Sequence, residues 1–503
     1  LEAAATAWQG GLRERAVALL DETESSVAPS EPRSLTLRLR ASIAMRSGSV
    51  IEAREMLERA AAQAESPDDA VVLLAEAVQA SFNLADSTAI RRLGEALRSG
   101  VGEATTSRAT AVGLMALGVA RVFTGEGGRE EFRQALPMLA GRADLLTHPE
   151  DLSWLMVATL FLRDYEGAEP RRIIDDVRSS VGVGVLPNLL FLVARDQATS
   201  SAWARAEANY EESIRTARET GQSAVLALSL AGLAWLESRQ GKSEACRSHA
   251  GESAALCADR AIHFGELWCL FAVGDLELAQ GSVDAAADGF LTLDRRLQEL
   301  GFADPDVFPG PELVDALVRL GRHDHARDVA SRFATAAKDK GRPWSVARAQ
   351  RASGLIAPDD RLDGPFRAAL ETHRLTLDVF ETARTQLAYG SRLRRAARRV
   401  DARVQLRAAL LTFEEFGAAR WADVAAAELE ATGEKVPRRE PTGVGALTPQ
   451  ELQVSLLLAE GRTTRDAAAA LFISPKTVEY HLRKVYTKLG LHTRAELVEA
   501  LSR

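Results

Sequence analysis

Along most of this chain apolar residues recur three and four positions apart, and stretches that alternate apolar with polar are scarce. That period is the signature of a helix buried along one side, so about the first 430 residues are expected to be helix after helix with no strands. Ala, Leu, Arg and Glu, all good helix formers, dominate the same stretch. A longer rhythm lies on top of this one. Gly241, Gly281 and Gly321 stand 40 residues apart, each ending an apolar helix and opening a short polar turn into a second helix. Glycine suits such a place because a helix commonly ends on a residue in the left-handed region. Each turn is followed by an alanine (Ala245, Ala285, Ala326) expected to begin the buried stripe of the next helix. Related turns fall near Gly48 with Ala53, Ser201 with Ala206, Asp359 to Gly364, and Arg398 with Ala402.

A period near 40 built from helix pairs predicts an α-solenoid over residues 1–433, with room for about ten pairs, in which each pair buries its apolar stripe only against its neighbours. The pairs resemble degenerate tetratricopeptide repeats. The segment Trp203-Ala204-Arg205-Ala206-Glu207-Ala208-Asn209-Tyr210 looks like the start of such a repeat's second helix. The full consensus is not met, and the period exceeds the usual one of about 34.

The pattern stops near Gly433. Pro437, Pro441, Gly443 and Gly445, with Arg438-Arg439-Glu440 among them, predict a linker over 434–445 that cannot continue a helix. A second domain, 446–503, then begins. Thr448-Pro449-Gln450-Glu451 reads as a capping box with Pro at the first helical position, and Val454, Leu457 and Leu458 share one face before Gly461. Thr463 with Asp466 opens a second helix ending around Phe472. Ser474-Pro475 opens a third that stops at Gly490, and Thr493 with Glu496 a fourth that reaches Ser502. Four short helices, the second and third joined by a tight turn, describe a helix-turn-helix that reads double-stranded DNA.

On the third helix Val478, Leu482, Val485 and Leu489 project within about 60° of one another and form the inward stripe. Lys476, Tyr480, Arg483 and Thr487 stand opposite, flanked by Glu479 and Lys484, long enough to reach base edges and phosphates in a major groove. His481 projects near the buried stripe and is expected to be packed and hydrogen-bonded.

Leu447-Thr448-Pro449-Gln450-Glu451, Ala459-Glu460-Gly461, Ala468-Ala469-Ala470-Leu471-Phe472-Ile473-Ser474, Thr477-Val478-Glu479-Tyr480-His481 and Lys488-Leu489-Gly490 together resemble the LuxR-type helix-turn-helix family. With a solenoid in front, the resemblance is closest to the large ATP-binding LuxR regulators. It implies that Glu479, Tyr480 and Arg483 face bases, and that Thr477, Lys484 and Lys488 lie near the backbone. Lys476 and Thr487 join them at the groove edge. It also implies that the last helix, through Leu497, Val498 and Leu501, can pair two modules on DNA. The expected partners are double-stranded DNA, RNA polymerase, an effector ligand or regulatory protein on the solenoid, and a second copy of the chain. Activation is favoured over repression. The sequence departs from the family at Gln450, Thr464 and Ala467, where Arg, Asn and Ile are frequent. Glu479 replaces a frequent base; it either prefers a cytosine amino group or forms an ion pair with Arg483, four residues on.

Charge fits this division. The whole chain carries −8, whereas residues 446–503 hold 8 Lys and Arg against 6 Asp and Glu, and residues 462–494 hold 7 against 2. A locally basic module on an acidic body suits a reader of polyanions. No run approaches the ~18 apolar residues of a membrane span, and no secretory leader is evident at Leu1, so a cytoplasmic protein is expected. The chain does not begin with Met and reads as part of something longer. Cys246, Cys257 and Cys269 are read as reduced thiols in core positions; with His249 and His263 they match no zinc spacing well. Gly241-Lys242-Ser243 is no P-loop, because the glycine required five positions earlier is Leu236. Gly125-Glu126-Gly127-Gly128 and Gly182-Val183-Gly184 lack the lysine. No enzyme activity and no cofactor are expected in this chain; ATP would belong to a domain upstream. The competing reading is a repeat scaffold for partner proteins with a vestigial DNA-binding tail. The run Arg392, Arg394, Arg395, Arg398 and Arg399 is read as a solvated face.

Overall fold

The computed structural model describes residues 1–26, 34–141, 149–162, 171–173, 181–200, 202–436, 447–471 and 473–502. Most of the expected linker (Pro437 to Gly445), Ala446, Ser201 and Phe472 lie outside the described residues. Among the described residues every regular element is a helix. From Glu2–Gln9 to Ala419–Glu430 consecutive helices pack as antiparallel pairs, a tetratricopeptide-like solenoid. The four helices Pro449–Ala459, Thr464–Ala470, Pro475–Leu489 and Arg494–Ser502 follow.

Local chemistry sets the helix ends. Ser49, Ser66, Asp86 and Thr106 each accept a hydrogen bond from the backbone N–H three residues on, satisfying donors that the first helical turn leaves free. Gly241 and Gly281 end their helices at φ +78° and +81°, and Gly321 turns the chain at +73°. The 40-residue rhythm therefore marks real turns, and Gly241-Lys242-Ser243 is one of them: Lys242 leaves the turn to pair with Glu207.

The buried register differs by one residue from that expected at two of the three turns. Ala245 is half-buried and Ala285 exposed. The fully buried residues are Cys246, Ala286 and Ala326, each five positions after its glycine. Ala53, Ala206 and Ala402 are likewise fully buried. A small side chain is needed there because the two helices of a pair cross closely. Cys246 is thus the sulfur-bearing version of the repeat's alanine.

A second small-residue rule was not read from the sequence. Gly274, Gly354 and Gly390 sit on the first helix of a pair, where an added Cβ would fall 2.5, 2.7 and 2.6 Å from Phe290, Phe366 and Leu406 of the second. A glycine inside a helix ordinarily costs about 0.5–1 kcal/mol relative to alanine; here it admits a large side chain of the partner helix. Gly274→Ala is therefore expected to destabilise the protein by about 1–3 kcal/mol. Gly251→Ala, at a helical site with nothing within 4 Å, should instead stabilise it by about 0.5–1 kcal/mol. Urea unfolding of the two variants checks both signs.

The solenoid is not a simple row of neighbours, which corrects the expectation above. Helices Ser223–Gln240 and His263–Gln280, in the middle, touch helices Ser34–Ser47 and Pro67–Asn83 respectively, and both touch Ala419–Glu430. The superhelix closes on itself, and its C-terminal half fills the inside with charge. Arg239 binds Asp378 (3.4 Å) and Glu381 (3.1 Å), Arg351 binds Glu381 and Glu312 (both 2.7 Å), Arg348 binds Glu312 (2.6 Å), and Arg384 binds Asp275 (3.1 Å). These side chains are buried, four cations matched by four carboxylates. Arg239, Arg348 and Arg384 also stack on Trp235, Trp344 and Trp421 at 3.9, 4.3 and 3.7 Å. Burial pushes the Glu381 carboxyl upward, but Arg351, Arg239, Arg348 and Arg384 together hold it well below the usual range.

His373 sits beside this network, its Nε2 2.9 Å from the Thr385 hydroxyl. Burial first, and then the Arg351 charge, lower its pKa from 6.5 to about 3. Between those values the unfolded chain binds a proton that the folded chain refuses, so this residue's effect is to lower stability as pH falls from about 6.5 toward 3. His373→Gln should flatten that acid limb in a series of thermal melts, relative to the wild type.

The tail is docked on this body. Helix Pro449–Ala459 lies against Trp203–Glu219, where Gln453 is buried and its side-chain amide donates to the Ala208 carbonyl at 2.7 Å. No described helix is long and apolar enough to cross a membrane.

Candidate DNA-binding site

Four capping arrangements position the four C-terminal helices. Thr448 and Glu451 form a reciprocal box, as do Thr463 and Asp466. Ser474 accepts from the Thr477 N–H at 3.1 Å, with Pro475 at the first helical position. At the fourth helix Thr493 caps the Glu496 N–H, and the Glu496 carboxylate accepts from the His492 N–H at 2.8 Å. Val454, Leu458, Ala467, Ala468, Leu471 and Val478 make one small core, and Leu447, Leu452, Val485 and Leu497 a second. Leu482 belongs to both as a half-buried contact. The third helix is thereby fixed along Val478, Leu482 and Val485, which leaves the opposite side to solvent.

On that side Glu479, Tyr480, Arg483 and Lys484 are all exposed, Tyr480 at 53%. Lys476 and Thr487 are exposed as well, and Thr477 is half-buried. The Lys484 ammonium lies 4.7 Å from the Tyr480 ring centre, a contact that holds the two side chains together on the surface. Glu479 and Arg483 form no ion pair among the described residues, so of the two roles for Glu479 the intrahelical pair is not the one found. The Thr487 hydroxyl donates to the Arg483 carbonyl (3.0 Å), and Thr477 and Ser474 share a hydrogen bond (2.8 Å). Thr487 therefore retains mainly acceptor capacity toward a ligand.

Lys488 is the exception on this face. Its ammonium pairs with Glu451 on the first helix at 2.6 Å. Burial pushes the Glu451 carboxyl upward, but the Lys488 hydrogen bond and the Thr448 N–H more than offset this and hold it below the ordinary range. Lys488 thus ties the third helix to the first.

Two expectations need correction, and one structural residue lies outside them all. His481 is packed, edge-on to Tyr480 at 5.5 Å, but its Nδ1 has no hydrogen-bond partner among the described residues. Leu497 is fully buried in its own domain and Leu501 half-buried there, so of the three residues assigned to a dimer contact only Val498 is exposed. And Arg494, which no periodic signal marked, is a structural clamp. Its guanidinium donates to the Leu458 carbonyl (2.8 Å) and the Arg462 carbonyl (2.5 Å), satisfying the open end of the first helix.

Residues 445–501 match the family of bacterial regulatory proteins of the luxR type. The tail of this chain is a LuxR-type helix-turn-helix domain. Over 66 residues it is 47% identical to putative HTH-type transcriptional regulators of Mycobacterium tuberculosis and Mycobacterium bovis. That stretch is 13% of this chain and 8% of the mycobacterial proteins, so the likeness concerns the DNA-binding domain alone. Over 53 residues it is 45% identical to the oxygen regulatory protein NreC of Staphylococcus aureus, covering 10% of this chain and 24% of NreC. Among solved structures a Rap protein complexed with competence and sporulation factor aligns with 64% of this chain and 98% of its own, at 10% identity and a TM-score of 0.42. The Cut9–Hcn1 hetero-tetramer aligns with 86% of this chain and 92% of its own, at 13% identity and a TM-score of 0.32.

Cys246, Cys257 and Cys269 are buried free thiols, pushed by burial to about 12, 12 and 11. His249 pairs with Glu237 at 2.9 Å and His263 with Glu266 at 3.0 Å. In the arginine run, Arg392 pairs with Asp359, Arg394 with Glu428, and Arg398 with Asp363 and Asp401, while Arg395 and Arg399 are exposed.

Proposed function

We propose that this chain is the sensing and DNA-reading part of a cytoplasmic transcription activator. In this reading Glu479, Tyr480 and Arg483 read bases in the major groove. Lys476, Thr477, Lys484, Thr487 and Lys488 hold the backbone at its edges. The supporting observation is the third helix of the LuxR-type domain, whose polar, cationic face stays open even though the domain is docked on the solenoid. Docking runs through the first helix, by Gln453 and Ala208, and leaves the reading face uncovered. Two copies bind together through Val498 and the outer edge of Leu501, and the bound pair recruits RNA polymerase. The solenoid senses an effector or a partner protein. The chain itself performs no catalysis and holds no cofactor; ATP, where the whole protein uses it, acts through a domain upstream.

A titration of promoter fragments and random duplex tests this. Specific sites are expected to bind about 10³-fold or more tightly than random duplex, with affinity falling steeply as salt rises. Equal affinity for both would favour the scaffold with a vestigial tail.

A further inference from the structure

The ionic network fills the inside of the C-terminal half of the solenoid, but the N-terminal half is hollow. Four cavities follow one another there, of about 270, 50, 60 and 30 Å³. Each shares walls with the next. Ser42, Arg46, Glu76 and Glu150 border the first and second; Gln79, Asn83, Trp154 and Asn188 border the second and third; Leu160, Phe161, Arg195 and Phe264 border the third and fourth. The result is a narrow passage that begins at a wide mouth beside Trp8 and ends against Trp235 and Trp268.

Its polar groups are arranged as though something were to meet them. Arg46 is 91% buried and lies 5.9 Å from the Trp8 ring centre, yet it makes no hydrogen bond or ion pair among the described residues. Burial lowers its pKa despite Glu150 and Glu76 nearby, so the charge lacks the close anion that a buried guanidinium ordinarily has. Glu76 and Glu150 are already held by Arg38, at 2.6 and 3.2 Å. Farther in, the amides of Gln79 and Asn83 have no hydrogen-bond partner among the described residues, and Asn188 donates to Ser153 at 3.1 Å. At the far end the Trp235 indole N–H is buried without an acceptor. Opposite these polar groups stand aromatic rings: Phe82, Trp154, Phe191 and Phe264.

We propose that this passage binds a short extended peptide that carries a carboxylate. The carboxylate pairs with Arg46 at the mouth. The peptide's backbone N–H and C=O groups are met by the amides of Gln79 and Asn83, which offer donor and acceptor alike. A backbone carbonyl accepts from Trp235, and apolar side chains lie against the rings. An alkyl acid of the same girth would satisfy Arg46 but leave the buried Trp235 indole N–H unpaired, which carries a penalty, and would make no use of the half-buried amides. This deepens the effector-sensing half of the proposed function. The binding test below uses no DNA, so its outcome is independent of whether the tail reads a promoter.

The full chain is immobilised and exposed to a pool of synthetic random hexapeptides with free carboxyl termini, and retained peptides are identified by mass spectrometry. The best peptide and its carboxamide are then titrated calorimetrically into the wild type, Arg46→Gln, Asn83→Ala, Trp235→Phe and a distant surface control, Leu411→Ala. Circular dichroism establishes that each variant is folded. The expected result is a related set of peptides rich in large apolar side chains. Affinity should fall about tenfold or more on amidation or in Arg46→Gln. Smaller losses are expected in Asn83→Ala and Trp235→Phe, and none in Leu411→Ala. Retention of no peptide, affinity indifferent to both Arg46 and Asn83, or Arg46-dependent binding of laurate in place of any peptide would each overturn the proposal.

Discussion

Glu381→Ala is expected to lower the stability of the protein by about 3–5 kcal/mol. Glu381 accepts from Arg351 at 2.7 Å and from Arg239 at 3.1 Å, and lies 3.7 Å from Arg348, all three almost wholly buried. Removing the carboxylate leaves these guanidiniums facing one another with too few counter-charges and no water to screen them. A buried pair built well is roughly neutral to stability; a broken one is not. The deficit should appear as a lower midpoint in urea. Arg351→Met added to Glu381→Ala should recover part of it, because the excess charge goes with it. Equal loss in the single and double variants would mean that packing, and not charge, sets the cost.

Arg483→Ala is expected to weaken binding of the specific operator by about 1–3 kcal/mol while changing affinity for random duplex far less. Arg483 is exposed, forms no ion pair among the described residues, and stands beside Tyr480 on the open face of the third helix. Its removal costs the fold almost nothing, so the whole effect should lie in sequence discrimination. Lys488→Ala should behave differently. It severs the 2.6 Å bond to Glu451, so a modest loss of domain stability is expected along with weaker binding to every sequence. Fluorescence anisotropy with operator and random duplex, read alongside thermal melts, separates the two.

Much of this was legible in the sequence, for reasons that differ between the two regions. In the tail, capping residues fix helix ends directly, so Thr448, Thr463 and Ser474 stood where local chemistry put them. The inward stripe of the third helix followed from its period, and so did the open face. Arg494 escaped notice because it acts across space on the carbonyls of Leu458 and Arg462, more than thirty positions away in the chain. In the solenoid, the left-handed glycines gave the turns, but the buried position was misplaced by one residue at Ala245 and Ala285. Alanine runs such as Ala285-Ala286-Ala287 offer no contrast to tell which member faces inward. The pairing of Gly274 with Phe290, and of Arg239 with Asp378, depends on which helices meet, and neither period nor propensity encodes that. The docking of Gln453 on Ala208 was likewise invisible.

The closure of the superhelix changes how such a repeat protein melts. Stacked repeats that touch only their neighbours fray from their ends, one unit after another. Here the central helices Ser223–Gln240 and His263–Gln280 are gripped from both directions along the chain. Loss of either terminal segment strips partners from the middle, so the body should come apart in one cooperative event.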